Sequence, residues 1–198
     1  DEYQDINRAQ YALVSALAGR RLPDADGRLS IMAVGDEDQN IYEFNGASVE
    51  FIRKFQNDYA GEITWLVDNF RSTQNIITAA NQVIQPALHR MKVDHPSRID
   101  SRRREQPAGG RWNLLDPEGH GCVRLVQAPA DANRQAQLVA EEIRRIRRLL
   151  PETSLGDIAV LARTHETLEP LRALCELEGI RYAIAKAQEP GGAMALMQ

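Results

Sequence analysis

The stretch Gly35–Ala47, GDEDQNIYEFNGA, decides how the rest of the chain reads. It follows an apolar run, Leu29-Ser30-Ile31-Met32-Ala33-Val34. An apolar run ending on Gly and a polar, Gln-containing loop predicts a buried parallel strand whose C-terminal end faces a ligand. Open α/β sheets bind ligands at that edge. The loop carries two aromatics, Tyr42 and Phe44, alternating with Glu43 and Asn45. Rings among polar residues suit a surface on which single-stranded nucleic acid stacks. They suit equally a pair tucked under the sheet edge, and the loop alone leaves both open.

Upstream of this loop, Asp1-Glu2-Tyr3-Gln4-Asp5 is a dense acidic opening. Asn7 then precedes a helical pattern with Ala9, Leu13, Val14 and Leu17 on one face, closed by Gly19. Residues 20–28 have loop composition. Downstream, Ser48 stands as N-cap to a helix with Val49, Phe51, Ile52 and Phe55 at helical spacing. Ile63–Val67 predicts a second strand, running into Asp68-Asn69-Phe70-Arg71-Ser72, and Ser72 opens a helix burying Ile76, Ile77, Ala80, Val83 and Ile84. From His89 to Gly121 the periodicity disappears. Seven basic and three acidic residues fall between His89 and Arg111, including Arg102-Arg103-Arg104, which predicts an exposed, mobile, basic connection over about 89–121.

Order resumes with a short strand at Val123–Val126. Residues 133–150 give the clearest helix, with Ala136, Val139, Ile143, Ile146 and Leu150 at three- and four-residue spacing. Its arginines, Arg144, Arg145, Arg147 and Arg148, read better as a solvated face than as a nucleic-acid site. Ile158–Ala162 is an apolar strand. A helix from about Thr167 buries Leu168, Leu171 and Leu174 and stops at Gly179, and Arg181–Ile184 is a last strand. The tail from Lys186 has the composition of a poorly ordered segment. Strands alternating with helices imply an α/β chain with mainly parallel sheets and right-handed crossovers. Two sheets are expected, with a boundary between Val67 and Ser72.

The bulk properties narrow the class. With 198 residues, 43% of them hydrophobic, the chain can bury roughly 70% of its unfolded surface. No run approaches a membrane span and no signal pattern is present, so a cytoplasmic setting is the default. Cys122 and Cys175 are far apart and read as buried reduced thiols, and the four scattered His define no zinc site. A net charge of −4 argues against a purely electrostatic nucleic-acid binder while leaving room for a local basic groove.

Chemistry concentrates in three clusters: Asp1-Glu2, the loop around Gln39, and Phe70-Arg71. Adjacent acids suit Mg²⁺-nucleotide chemistry, one carboxylate for the metal and the next to orient the attacking water. A Gln after a strand can read a terminal phosphate through its amide, and an Arg can neutralise charge developing in the transition state. Singly, each is a common surface feature. Their joint order is specific.

DEYQD, then VGDEDQNIYEFNGA, then NFRST resembles the UvrD/Rep-type superfamily-one DNA helicases, and LVAEEIRRI with IAVLARTHETLEPLRALCELEGIRY is similar to that family's second motor domain. The resemblance covers most of residues 1–185. It implies RecA-like (P-loop NTPase) parallel sheets with flanking helices, divided as residues 1–67, the back of a first ATPase domain, and 68–198, much of a second. It also implies ATP bound between the domains and 3′ to 5′ movement on single-stranded DNA in repair or recombination. By the same resemblance Asp1 corresponds to the Mg²⁺ ligand and Glu2 to the catalytic base. Gln39 corresponds to the γ-phosphate sensor, Phe70 to the usual Tyr packed on adenine, and Arg71 to the arginine reaching the γ-phosphate. Tyr42 and Phe44 correspond to aromatics that stack on the single strand, Phe44 standing where many relatives have Trp. Arg163 and His165 fall in a loop that touches the strand, with His165 where Asn is usual, and Asn45 replaces a common Arg.

The three lysines, Lys54, Lys92 and Lys186, lie in no G-x-x-x-x-G-K-[ST] setting, so a phosphate-cradling loop is missing from the sequence. The expectation is therefore a piece of a longer helicase, inactive alone, whose residues 1–67 expose sheet edge and apolar surface and either self-associate or stay partly disordered, while residues 68–185 fold more robustly. Two alternatives stay open: a non-catalytic nucleic-acid or protein-binding module on a helicase scaffold, and a helicase-nuclease subunit.

Overall fold

The computed structural model describes residues 2–21, 27–88, 90–116 and 118–185. The chain divides into two compact units, Asp1–Gly110 and Arg111–Gln198. The boundary expected between Val67 and Ser72 falls inside the first of them.

The first unit grows from an aromatic core. Helix α1 (Arg8–Leu17) opens with a capping box in which Asn7 Oδ1 accepts the Gln10 N–H at 3.0 Å and Gln10 Oε1 accepts the Asn7 N–H at 2.9 Å. Its buried stripe is Tyr11 and Ala18, with Val14 half-buried between them, while Leu13 and Leu17 are exposed. The expected apolar face is thus rotated. The ring of Tyr11 stacks on Phe51 of α2 (Glu50–Tyr59) at 4.9 Å, and its hydroxyl donates to Asp58, which Arg20 also engages. A Leu could fill part of the space but make neither the ring stack nor the hydrogen bond. Burial, followed by the Asp58 hydrogen bond, pushes the Tyr11 hydroxyl pKa up. Tyr3 and Ile6 complete the cluster, with Phe55 edge-on to Tyr3 at 5.5 Å. Burial carries the Tyr3 pKa up to about 12, with Tyr59 and Asp58 adding to the rise. Val49, not Ser48, occupies the N-cap of α2, and Ser48 Oγ accepts the Glu50 N–H instead.

Among the described residues the only sheet is a parallel pair, β1 (Asp68–Asn69) with β2 (Arg98–Ile99), reinforced by an Arg98–Asp68 ion pair at 2.7 Å. The runs 29–34, 63–67, 123–126, 158–162 and 181–184 form no ladder. They have the composition of strands, yet Met32, Leu66, Leu125 and Leu161 are largely exposed. A strand exists only where a neighbour takes its backbone hydrogen bonds, and apolar sequence alone does not supply one. Between the short strands runs α3 (Gln74–Ile84), with Thr73 rather than Ser72 as N-cap and Ile77 as its buried residue. Ile76 and Val83, expected inside, are exposed.

The basic stretch expected as a mobile connection holds β2, a 3-10 turn at Ser101–Arg103 and, in the second unit, α4 (Trp112–Leu115). Four of its cations are ion-paired: Arg90 with Asp38, Lys92 with Asp36 and Asp38, Arg98 with Asp68, and Arg103 with Asp100.

The second unit packs α5 (Ala132–Leu149) against α6 (His165–Glu178). Ala136, Ala140 and Cys175 are buried, and small residues at these positions let the helices approach closely. Asp131 Oδ1 caps α5 by accepting the Arg134 N–H at 2.6 Å, and Gly179 ends α6 in the left-handed region at φ 66°. Arg145 bridges Asp116 at 3.0 Å and Glu142 at 2.8 Å. Hydrogen bonds from Arg145 first, and from the Gly119 N–H, hold the Asp116 carboxyl below its usual range. Arg144 pairs with Glu178, so two arginines of this helix serve internal electrostatics. Cys122, expected buried, is exposed. The tail from Lys186 lies outside the described residues. No helix among the described residues is long and apolar enough to cross a membrane.

Candidate functional site

Gln4 is the residue on which the site is built. It is the largest fully buried side chain among the described residues, and both ends of its amide and its backbone carbonyl are hydrogen-bonded. Its Nε2 donates to Glu2 Oε2 at 2.5 Å, its Oε1 accepts the Asp36 N–H at 3.1 Å, and its carbonyl accepts from Asn40 Nδ2 at 2.5 Å. The Tyr3 N–H donates to the Val34 carbonyl at 2.9 Å. The acidic opening and the Gln39 loop are thereby held as one piece. Gly35 permits the approach, since a Cβ there would meet Gln4 Oε1 at 2.8 Å and the Gln4 backbone nitrogen at 3.0 Å.

On the other side of the loop lies Arg90-Met91-Lys92. Arg90 makes two hydrogen bonds to the Asp38 carboxylate, at 2.8 and 2.6 Å, and Lys92 Nζ lies 2.5 Å from Asp36 Oδ1 and 3.4 Å from Asp38 Oδ2. Glu37 Oε1 accepts the backbone N–H groups of Met91 and Lys92. Burial raises the Asp38 pKa, but the Arg90 hydrogen bond and the Lys92 charge outweigh it, so the net shift is downward from 3.8.

A carboxylate whose folded pKa lies below its unfolded one contributes stability above the unfolded value and loses it as pH falls through the folded one. The urea midpoint of the chain should therefore exceed that of an Asp38→Asn variant at pH 6, with the gap closing as pH drops below about 3.8. A gap that does not narrow as pH falls below about 3.8 would contradict the pairing.

Gln39 is exposed, and its Nε2 donates to Asp36 Oδ2 at 2.9 Å. Beyond it, Tyr42 and Phe44 stand in solvent, with ring centroids 5.9 Å apart and Phe44 79% exposed. Of the two arrangements their sequence allows, the described one is the surface. The loop closes where Ala47 bridges Asn7 and the Ser48 N–H donates to the Ile6 carbonyl, fastening it to the aromatic core.

Phe70 and Arg71 project from a second loop of the same unit, and both are exposed. Asn69 Oδ1 accepts the N–H groups of Arg71, at 3.0 Å, and of Ser72, at 2.7 Å. Arg103 closes the base of this loop, donating to Asp100 Oδ2 at 2.5 Å, to the Ser72 carbonyl at 3.1 Å, and to the Asn69 carbonyl. Arg163 and His165 belong to the second unit, at the start of α6. They line a cleft of about 580 Å³ whose walls include Val160, Leu168, Leu171 and Tyr182.

Asp1, the expected metal ligand, lies outside the described residues. Among the described residues no three acidic, His or Cys side chains are grouped to hold a metal ion. The acids of the Gln39 loop do not supply one, because Arg90, Lys92 and backbone N–H groups already engage them.

Sequence reasoning missed Gln4, Arg90, Lys92, Asn69 and Arg103 as organisers of this site. Two signals were available. Three consecutive acids, Asp36-Glu37-Asp38, call for counter-charge, and Asn three residues before Ser is the pattern of a side chain capping its own turn. Nothing in the sequence marks Gln4, whose importance comes from burial.

Residues 1–60 match the UvrD/REP helicase N-terminal domain and residues 64–189 the UvrD-like helicase C-terminal domain. The chain is 35% identical over 185 residues to ATP-dependent DNA helicase UvrD1 of Mycobacterium tuberculosis, covering 93% of this chain and 21% of that protein. It is 32% identical over 190 residues to ATP-dependent DNA helicase PcrA of Staphylococcus epidermidis, covering 96% and 22%. It is 48% identical over 86 residues to DNA helicase II of Escherichia coli, covering 43% and 11%. The chain thus spans about a fifth of the length of the first two. With the C-terminal domain match alone taking in well over half of its residues, the chain belongs to the UvrD/Rep-type helicase family.

Proposed function

We propose that this chain works as part of an ATP-driven DNA helicase that moves 3′ to 5′ on single-stranded DNA in repair or recombination. In this reading the chain carries parts of two RecA-like domains, divided near residue 67, and its unpaired apolar runs find partner strands only in the longer protein. The observation that carries the proposal is the exposed Tyr42–Phe44 pair on a loop tied through Gln4 to Glu2. That arrangement gives a nucleotide-facing acid and a base-stacking surface a common support.

ATP is the substrate. Glu2 orients the attacking water and takes its proton, Gln39 reads the γ-phosphate, and Arg71 neutralises the charge developing on it. Phe70 packs on the adenine. A bound Mg²⁺, for which Asp1 is the family's residue, would neutralise phosphate charge. Tyr42, Phe44, Arg163 and His165 contact the single strand, each stacked base contributing about 1–3 kcal/mol. That is strong enough to hold a base and weak enough to release it.

The 198-residue chain alone is proposed not to hydrolyse ATP. Calorimetry with Mg-ATP on this chain, and on the same chain preceded by a phosphate-binding segment, tests this. Binding and turnover are expected only in the second form, with turnover removed by Glu2→Gln. Turnover by the shorter chain that Glu2→Gln abolishes would refute the inactivity. Silence from both forms would favour a non-catalytic scaffold.

A further inference from the structure

Two of the three acids of the Gln39 loop, Asp36 and Asp38, are held by cations that the proposed chemistry does not use, and the third, Glu37, by the backbone N–H groups of Met91 and Lys92. Arg90, Lys92 and Asp38 keep only 11%, 16% and 15% of their side-chain surface exposed. The cluster is therefore mostly withdrawn from the water and salt that weaken exposed pairs. Lys92 Nζ binds one oxygen of Asp36, and the other oxygen of Asp36 accepts from Gln39 Nε2. An ionised carboxylate can only accept, so Asp36 dictates which end of the Gln39 amide faces it. The amide nitrogen has two hydrogens. One goes to Asp36, and the other stays available to an anionic group.

The contacts also cross a boundary. Asp36–Gln39 lies in the region matching the N-terminal helicase domain, and Arg90–Lys92 in the region matching the C-terminal one. We propose that Arg90 and Lys92 form a latch from the second matched domain onto the Gln39 loop of the first, acting as positioning residues for the Gln39 amide. Lys92 acts through Asp36, and Arg90 fixes the neighbouring Asp38. Displacement of one matched domain against the other is then felt at Gln39 through these bonds. The inference rests on the reading that Gln39 meets the nucleotide, and its test separates the two.

Hydrogen exchange on the 198-residue chain comes first. Lys92→Gln should speed exchange of the amides at 38–40 by about tenfold or more while the amides of α2 stay unchanged, which shows that the core is intact. Lys92→Arg should stay within about twofold of the unaltered chain. Asp38→Arg combined with Arg90→Asp should regain the protection that either change alone loses. In the form preceded by a phosphate-binding segment, Lys92→Gln should lower kcat with little change in KM for ATP. Unchanged exchange at 38–40 would overturn the latch. So would an unchanged kcat in Lys92→Gln where Gln39→Ala is impaired. An unchanged kcat in Gln39→Ala would instead overturn the reading of Gln39 and the latch's role with it.

Discussion

In a form of this protein that hydrolyses ATP, Arg71→Ala should lower kcat by about 10³–10⁵, the range seen where an arginine neutralises transition-state charge in nucleotide hydrolases. The same change should leave the thermal transition in place. Arg71 is exposed, and its loop is held by other groups: Asn69 Oδ1 on the N–H groups of Arg71 and Ser72, and Arg103 on the Ser72 and Asn69 carbonyls. The guanidinium thus stands exposed on a backbone fixed by its neighbours. Arg71→Lys keeps the charge but loses the planar fork, so only part of the rate should return. Asn69→Ala should differ in stability: it should cost about 1 kcal/mol of local stability and lower the rate by moving Arg71 rather than removing it. Pre-steady-state phosphate release, read beside calorimetric melting, distinguishes the two. A loss of less than tenfold in Arg71→Ala would remove Arg71 from the reaction.

The helices were largely legible because their signals are local. The 133–150 periodicity became Ala132–Leu149, and Gly179 ends the last helix as its conformational freedom predicts. Which side of a helix is buried was less legible. In α1, counting apolar residues selected Leu13 and Leu17, whereas the fold chose Tyr11, whose ring and hydroxyl find Phe51 and Asp58 some forty residues away. Strand composition was readable at 158–162 and 123–126, but pairing is a property of two segments, and one segment cannot announce it. The basic stretch misled for a related reason. Charge-dense, aperiodic sequence resembles a solvated linker until the acids that neutralise it are located. For Arg90 those acids lie fifty-two positions back, in the loop that carries Gln39. The exposed candidate residues, Gln39, Tyr42, Phe44, Phe70 and Arg71, were visible as motifs, whereas the residues that support their loops were visible only as contacts.

That division between exposed members and supports makes a second large effect predictable. Phe51→Ala should destabilise the first unit by about 3–5 kcal/mol, the usual cost of emptying a buried aromatic position. Phe51 is buried, stacks on Tyr11 and carries Lys54 Nζ 5.7 Å from its ring centre. Against a total stability of about 5–15 kcal/mol for a domain, such a loss leaves a substantial unfolded population. Phe44→Ala removes a ring that is already in solvent and should change stability by no more than about 0.5 kcal/mol. Both changes should weaken binding of an oligo-dT strand, but in different ways. Phe44→Ala loses one stacking surface, about 1–3 kcal/mol, at every urea concentration where the chain is folded. Phe51→Ala binds poorly because the loop loses its anchor, where Ala47 pairs with Asn7 and Ser48 with Ile6. Its affinity should recover when an osmolyte that favours burial refolds the unit, and that of Phe44→Ala should not. Urea melts and fluorescence anisotropy with and without the osmolyte measure both. If Phe51→Ala melted within about 1 kcal/mol of the unaltered chain, the aromatic core would not be what holds this loop in place.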